Sequence, residues 1–531
     1  MKGMRPIHAA LLMGAACLLA LFLYLPSRQM GFYYDDKITI LNNEKVQSPE
    51  WSTVLMENPF RALVNVTFAI QHRRHTSPLP FEARTLNSAS ANITRRWSEE
   101  EKRVHAVYID PATARATRVS IDQERGLVFP MPPASPFRRF NMAVHLITGI
   151  LLYLVARRLV GGRALPVLAA SLFILHPLAT EPVNYITARF TLMSSGFSLL
   201  AVFFHLLGDD DRRWDIGAVA AFILALFCKE TAAVLPLVVF VLDTARGKPR
   251  PRVLVALAIS AVYFGLRMAW PVIVESVNVE ALPWYKYILT GQTAFWLYLG
   301  KTVLPVNLNF DYVMNFSAGR DGFFSALTAL VLGLSVFALA RESVARLSTD
   351  KKRPGKAKKQ KDVKRKAHVL VWAGAGFFMA WLSVAATTTF IALADPVKED
   401  RAYTVLLVAV PLLVAGASRL SRSLSRGKRT AFALAAVLFM SALTFSRNLD
   451  WRNELDISKD VFEKSPMKPR AAYNYATALK WRQEIEAALH FYRYTLYLDP
   501  THENAKINER VLSEIVAKGL HIQENTVQDG E

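Results

Sequence analysis

Apolar residues in this chain come in long unbroken runs, not in the alternation of a half-buried strand or the stripe of a surface helix. Runs fall near 7–25, 140–158, 164–180, 190–207, 214–228, 231–243, 252–271, 323–340, 369–389, 402–418 and 430–446. A hydrocarbon core takes about 20 apolar residues to cross as a helix. A helix keeps all its backbone polar groups satisfied there. The pattern predicts an all-α polytopic membrane protein of about 11 spans. The aromatic-rich stretch 286–304, "KYILTGQTAFWLYLGKTVL", is read as a re-entrant or interface-lying helix, because a full span there would reverse the side of the basic block that follows.

The connections set the orientation. "ARRLVGGR", "DTARGKPRPR", "SRLSRSLSRGKR" and the basic loop 341–368 are strongly cationic, which predicts a cytoplasmic side. The N-terminus is then inside, and the outer face carries two larger parts. The first is the loop 26–139, in which "RVHAVYID", "ATRVSID" and "GLVFP" predict a small β insert. The second is the tail 447–531, beyond a membrane domain that occupies 1–446. In "AAYNYATALKWRQEIEAALHFYRYTLYLDP", small residues and aromatics recur with the phasing of a tetratricopeptide-like helical pair ending at Asp499-Pro500. A plain helical hairpin is the simpler alternative.

Composition adds three constraints. Of 531 residues, 52% are hydrophobic, and the mean hydropathy of +0.21 fits a membrane protein. The net charge of +21 is assigned to basic flanks of membrane helices and not to nucleic-acid binding. The two cysteines, Cys17 and Cys228, lie inside apolar runs, so the outer parts have no disulfide framework. The first run lacks a small-x-small cleavage site and is read as an uncleaved helix, with a signal peptide as the alternative.

Against this apolar background, ionisable residues at helix ends are expensive and point to function. Asp35 and Asp36 stand side by side in "GFYYDDKITILNN", just beyond the first helix. Four further clusters lie at predicted outer ends: "HPLATEPVNYITAR" with His176, Glu181 and Arg189; "CKET" with Lys229 and Glu230; "LPVNLNFDY" with Asp311 and Tyr312; and "DPVKEDRAY" with Asp400 and Arg401. The combination suits glycosyl transfer from a lipid phosphate. A carboxylate accepts the proton of the acceptor hydroxyl, and Arg or Lys stabilises the departing phosphate. The structural alternatives are a Lys229–Glu230 ion pair pinning helix ends and a helix stop at His176-Pro177.

With these residues in place, the chain resembles the GT-C superfamily of membrane glycosyltransferases. It is most similar to the transmembrane-and-tetratricopeptide-repeat O-mannosyltransferases and their bacterial relatives. "GFYYDDKITILNNEKVQ", "NPFRAL", "PFRRFNMAVHLITGILLYLVARRL", "HPLATEPVNYITAR", "CKETAAVLPL", "WLYLGKTVLPVNLNFDY", "DRAY" and "WRNELDISKDVFEKSP" follow the order of that family's elements. Ala62 replaces the usual Pro, Thr191 stands where an acid is common, and the tyrosine of "DRAY" is one residue out of phase. The insert from about Gln71 to Ser135 has no counterpart in it.

The resemblance implies a polyprenyl-phosphate-linked sugar donor, with mannose one candidate, and a hydroxyl acceptor on protein or glycan. Asp35 or Asp36 would serve the acceptor side; Arg189, Lys229 and Arg401 would hold the donor phosphate, with Glu181 and Glu230 orienting them. His176, Asp311, Tyr312 and Asp400 would support that group. No cofactor is required, and a divalent cation at Asp35-Asp36 is the variant that related diphosphate-using enzymes suggest. Membrane lipids and a protein partner of the tail complete the expected partners. Within the same class the acceptor could be a lipid or a polysaccharide; from other classes, a non-catalytic scaffold presenting its tail, or a transporter, would share the topology. The compact, disulfide-free outer parts favour a bacterial inner membrane with the working face in the periplasm, whereas the Asn-x-Thr triplets at Asn65 and Asn92 would suit a glycosylating lumen.

Overall fold

The computed structural model describes residues 4–48, 50–75, 103–109, 116–122, 127–130, 132–248, 250–269, 283–349, 371–385, 395 and 397–517. In chain order the main elements are α1 (Pro6–Leu23), α2 (Ala62–His75), strands β1 (Arg103–Ile109), β2 (Ala116–Asp122) and β3 (Leu127–Pro130), and then α3 (Ala134–Val160) and α4 (Ala164–Ile174). The chain continues through α5 (Thr180–Asn184), α6 (Arg189–Leu207), α7 (Trp214–Leu226), α8 (Leu235–Arg246), α9 (Val253–Ala269), α10 (Trp284–Val303) and α11 (Ala318–Thr349). It closes with α12 (Val371–Ala385), α13 (Glu399–Leu420), α14 (Arg426–Asp450), α15 (Glu454–Lys464), α16 (Pro469–Trp481), α17 (Ile485–Leu498) and α18 (Glu503–Ala517).

Among the described residues, α1, α3, α13, α14, a stretch covering α6 and most of α11 are long and apolar enough to cross a membrane, six helices in all. The set is that of an integral membrane protein. All eleven apolar runs contain helix, but not all are full-length spans. The run 164–180 is broken: α4 and the turn-plus-helix Pro177–Asn184 meet at 52°, and count as a seventh crossing only if taken together. His176-Pro177 sits at the break, where proline has no amide hydrogen for the helix to continue. Among the described residues, the runs behind α7, α8, α9 and α12 give helices shorter than a full span, the runs of α9 and α12 continuing into residues outside the description. Between α7 and α8 the reason is local: Lys229 is extended (φ −158°, ψ 135°), so the polar Cys228–Glu230 segment interrupts the helix. All but the last residue of the stretch 286–304 lies in one continuous 20-residue helix, α10.

The chain divides into two compact units. One comprises 1–27, 141–184 and 188–450; the other comprises 28–140, 185–187 and the tail from 451. This division differs from the split at 446/447 that the sequence suggests, because the first loop and the tail pack together.

The larger unit is built on apolar packing of α1, α3, α4, α6, α10 and α13. A polar stitch runs through it. His145 Nδ1 lies 2.9 Å from the Tyr403 hydroxyl and Nε2 lies 3.0 Å from the Ile174 carbonyl, so a neutral ring accepts at one nitrogen and donates at the other. Phe173 packs against both rings.

In the smaller unit, β1, β2 and β3 form an antiparallel sheet in that order, with Arg103 opposite Asp122 and Val119 opposite Pro130. The region around this sheet is closed at its base: Gln71 Nε2 donates to the Pro136 carbonyl at 3.1 Å across 65 residues. Asn65, of the first Asn-x-Thr triplet, is buried within α2; Asn92 lies outside the described residues. The described part of the tail forms four successive helices. Asn453 caps α15 by accepting from the Leu455 and Asp456 amides at 3.0 Å each, Pro469 opens α16, and Gln483 takes φ +62° in the turn to α17. Tyr492 is fully buried among Ala476, Leu479, Ala488 and Ala505. The small residues leave room for the ring, and its hydroxyl meets Thr477 Oγ1 at 3.0 Å.

Candidate functional site

In the larger unit, the polar residues expected at outer helix ends gather around the start of α6 and the start of α13. Arg189 opens α6 fully buried, and its Nε donates to Asn141 Oδ1 of α3 at 2.8 Å. Asn141 is held in turn, its Nδ2 reaching the Pro182 carbonyl at 3.4 Å. Asn141 therefore fixes the guanidinium. Glu181 was expected to do this, but neither of its carboxylate oxygens accepts a hydrogen bond among the described residues.

Lys229, projecting from the break between α7 and α8, donates to Thr191 Oγ1 at 2.7 Å and lies 3.4 Å from Asp400 Oδ2. Thr191 closes the triangle by donating to the same oxygen at 2.8 Å. Thr191 is thus a bridge between Lys229 and Asp400, two residues along α6 from Arg189. Arg401 follows Asp400 in α13, 6% exposed, and its charge faces that carboxylate, as does that of Lys398. Three buried or largely buried cations, Arg189, Lys229 and Arg401, so belong to one unit and stand by α6 and α13, with Asp400 balancing two of them.

Beside them is an acidic group. Glu181, fully buried, faces the charges of Asp400 and Glu399, with Lys398 and Arg447 as the nearby cations. Glu399 Oε1 accepts from the Tyr312 hydroxyl at 2.6 Å and from the Asn309 amide at 2.8 Å. Burial and the Glu399 carboxylate raise the Tyr312 phenol far above its ordinary range, so its hydroxyl keeps the proton it donates to Glu399 while accepting from the Asn309 amide at 3.3 Å. Asn307, at φ +50°, turns the chain into this segment. Asp311 is buried too, its amide donating to Asn309 Oδ1, two residues earlier, at 3.2 Å. Glu230 is buried at the start of the turn Glu230–Val234. His176 uses both ring nitrogens on backbone: Nδ1 accepts from the Leu178 amide at 3.2 Å and Nε2 reaches the Thr302 carbonyl at 3.0 Å. It ties the α4–α5 break to α10.

Asp35 and Asp36 belong to the smaller unit, and their environments differ sharply. Tyr34, just before them, has φ +54°, a left-handed conformation that a large side chain adopts at a cost. The chain then enters a π-helical stretch, Lys37–Leu41, a geometry concentrated at functional sites. Asp36 is fully buried. Its Oδ1 accepts from the Thr187 amide at 2.7 Å and the Thr187 hydroxyl at 2.6 Å, and its Oδ2 from the Tyr33 amide at 3.1 Å and the Ile186 amide at 3.4 Å. Burial nonetheless pushes its carboxyl up to about 6, the four hydrogen bonds opposing that rise. Asp35 is half-buried, with Tyr185 close by: burial first, and then the charges of Asp35 and Asp36, hold the Tyr185 phenol well above its ordinary range.

The aspartate loop is gripped from several sides. Arg138 donates to the carbonyls of Gly31 at 3.2 Å and Arg28 at 3.1 Å, and its charge faces Asp36. Lys37 pairs with Glu454 at 3.0 Å, the Tyr33 ring packs edge-on against the fully buried Trp451, and the Arg470 guanidinium lies 5.2 Å over the Tyr34 ring. Each of these last three partners comes from the tail.

A divalent cation does not fit this arrangement. Asp36 already accepts four hydrogen bonds, and among the described residues no group of three or more His, Cys, Asp or Glu side chains is placed to hold a metal.

Sequence reasoning missed Asn141, Thr191, Thr187 and Glu399 as members of the site. Glu399 had a signal, since it lies inside the acidic segment already singled out. Thr187 also lies inside a segment singled out, "HPLATEPVNYITAR", but its role depends on meeting a residue 151 positions away.

Comparison with known proteins gives partial matches. Over 160 residues, 29% of its length, the chain is 30% identical to a mouse protein described as Protein O-mannosyl-transferase TMTC1, covering 17% of it. Over 216 residues, 40% of its length, it is 28% identical to the Drosophila melanogaster protein of the same description, covering 20%. The matched stretches span about a fifth of these relatives' lengths. No protein-family model and no solved structure matches the chain.

Proposed function

We propose that this chain is an integral membrane glycosyltransferase that moves a sugar, mannose being the leading candidate, from a polyprenyl-phosphate donor to a hydroxyl on a protein. The observation that carries the reading is the cation group of Arg189, Lys229 and Arg401, held in the larger unit beside Asn141, Thr191 and Asp400. Burying such charges is costly, and in a membrane protein they repay that cost by meeting an anion. The partial likeness to two O-mannosyl-transferases agrees with it.

In this reading Arg189, Lys229 and Arg401 receive the donor phosphate and stabilise the charge that develops as the glycosidic bond breaks. Asp35 is the acceptor-side base, taking the proton of the attacking hydroxyl. Asp36 is a positioning residue: four donors already occupy it, and it fixes the loop on which Asp35 stands. The tail, a tetratricopeptide-like cap, stiffens that loop and offers its outer face to a partner. The eleven-span topology, with this face outward in a bacterial inner membrane, belongs to the same proposal.

The test is transfer by purified full-length protein in lipid, with a panel of polyprenyl-phosphate sugars and a Ser/Thr-rich protein acceptor. Loss of transfer in Asp35→Asn with unchanged thermal unfolding supports the reading. Equal transfer by Asp35→Asn removes Asp35 from the chemistry.

A further inference from the structure

Helix α6 carries Arg189 at one end and a second charged cluster at the other, about 28 Å away for 19 residues. There, His205 Nε2 lies 3.0 Å from both oxygens of the fully buried Asp243. Asp209 takes Arg246 and Arg250, with Lys248 at 3.7 Å, and Asp215 pairs with Arg252. Gly208 makes this possible, because a Cβ there would collide with Asp215 Oδ1 and crowd Arg252. The sequence suggested no site here, since the acids and bases lie in two separate connections, 208–215 and 243–252.

The cluster is not neutral. Arg246, Lys248, Arg250 and Arg252 face three carboxylates, Asp209, Asp215 and Asp243, leaving an excess of positive charge even with His205 neutral. Arg252 Nε is buried and donates to nothing among the described residues. Arg252 and Asp215 also stand on the wall of a cavity of about 560 Å³ between α6, α7, α8 and α9. His205 stands there too, and the rest of that wall is apolar, with Ala201, Val219, Phe222 and Val239 among its side chains. Asp215 is in the first turn of α7 and Arg252 precedes α9, whereas Phe222 and Val239 lie a turn or more into their helices, so the cavity is polar at one end and apolar beyond.

We propose that this cavity binds an anionic phospholipid, one acyl chain filling the apolar part and the phosphate received by Arg252. The volume is in the range of small-molecule sites, each buried methylene of a chain contributes about 0.8 kcal/mol, and the guanidinium fork matches a phosphate. The excess positive charge selects an anionic head over a zwitterionic one. The connection 243–252 is part of the basic set read as cytoplasmic, where anionic lipids concentrate. The site is separate from the cation group around Arg189 and stands whether or not that group binds a sugar donor.

The test uses full-length protein stripped of lipid and re-exposed to phosphatidylglycerol, phosphatidylcholine or inorganic phosphate, with retained molecules counted by native mass spectrometry and thermal unfolding measured in parallel. The expected result is one phosphatidylglycerol held at least tenfold more tightly than phosphatidylcholine, with no stabilisation by phosphate alone. Arg252→Gln made together with Asp215→Asn, which leaves no carboxylate orphaned, should lower retention at least tenfold. Ala256→Phe, which fills the cavity, should do the same. Equal retention of both lipids, no lipid retained, stabilisation by phosphate alone, or unchanged retention in both variants overturns the proposal. If one variant fails to fold, the other decides.

Discussion

Thr187 donates twice to Asp36, through its amide at 2.7 Å and its hydroxyl at 2.6 Å, both on the same carboxylate oxygen. Asp36 thereby joins a turn near the start of the chain to a loop 151 residues later, while Asp35 keeps a different environment. Adjacent acids of like charge are here divided into a clasp and a candidate base. Thr187→Val should cost about 1.5–3 kcal/mol of stability, the range for a hydrogen bond to a charged group. Asp35→Asn should leave stability within about 0.5 kcal/mol and abolish transfer. Denaturation and transfer assays on the same preparations check both, and the opposite pattern would reverse the two roles.

The Asp36 carboxyl also predicts a pH dependence. Its folded-state value, raised to about 6 by burial, lies above the ordinary 3.8. The folded protein therefore binds this proton more tightly than the unfolded chain. The stability it contributes is fully present below pH 4, falls as pH rises from about 4 to about 6, and is level above that. Unfolding measured between pH 4 and 7 should show this decline in the native protein. The decline should be missing from Asp36→Asn, so a difference curve that stays flat across the window would show that Asp36 is ionised throughout.

How far the sequence could be read varied with the range of the contacts involved. Helix positions in the membrane part followed from apolar runs, and the clusters bearing Arg189, Lys229, Asp400 and Arg401 were visible because charge is conspicuous against apolar sequence. The role of Thr191 was not visible: a threonine in an apolar helix is unremarkable until Lys229 and Asp400 reach it from two other helices. The break at His176-Pro177 was legible as a stop, but neither the 52° bend nor the His176 contact with Thr302 of α10, 126 residues away, could be read from the local sequence. The packing of tail against first loop was least legible, because Trp451, Glu454 and Arg470 look like ordinary helical-repeat residues until Tyr33, Lys37 and Tyr34 are beside them.

That packing gives a third prediction. Trp451 is fully buried against Tyr33, so Trp451→Ala should cost about 3–5 kcal/mol, the usual range for deleting a large buried aromatic. Glu454→Gln breaks an ion pair whose partners are each more than a quarter exposed, and should cost under about 1 kcal/mol. If the tail acts by stiffening the aspartate loop, Trp451→Ala should also lower transfer under conditions where the protein remains folded. A full-length Trp451→Ala protein that is destabilised but transfers normally would confine the tail to stability.

The triangle of Lys229, Thr191 and Asp400 supplies the last test. Removing Lys229 alone leaves Asp400, 9% exposed, facing fewer cations, and breaking such a pair costs about 3–5 kcal/mol. Lys229→Met should therefore be markedly less stable than the native protein. Adding Asp400→Asn should recover part of that loss, because the orphaned charge is gone. Transfer should behave differently: Lys229 is assigned to the donor phosphate, so activity lost in Lys229→Met should stay lost in the double variant. Unfolding and transfer measured across the cycle separate the two contributions. Recovery of activity together with stability would make Lys229 a structural partner of Asp400 and leave Arg189 and Arg401 as the donor-side cations.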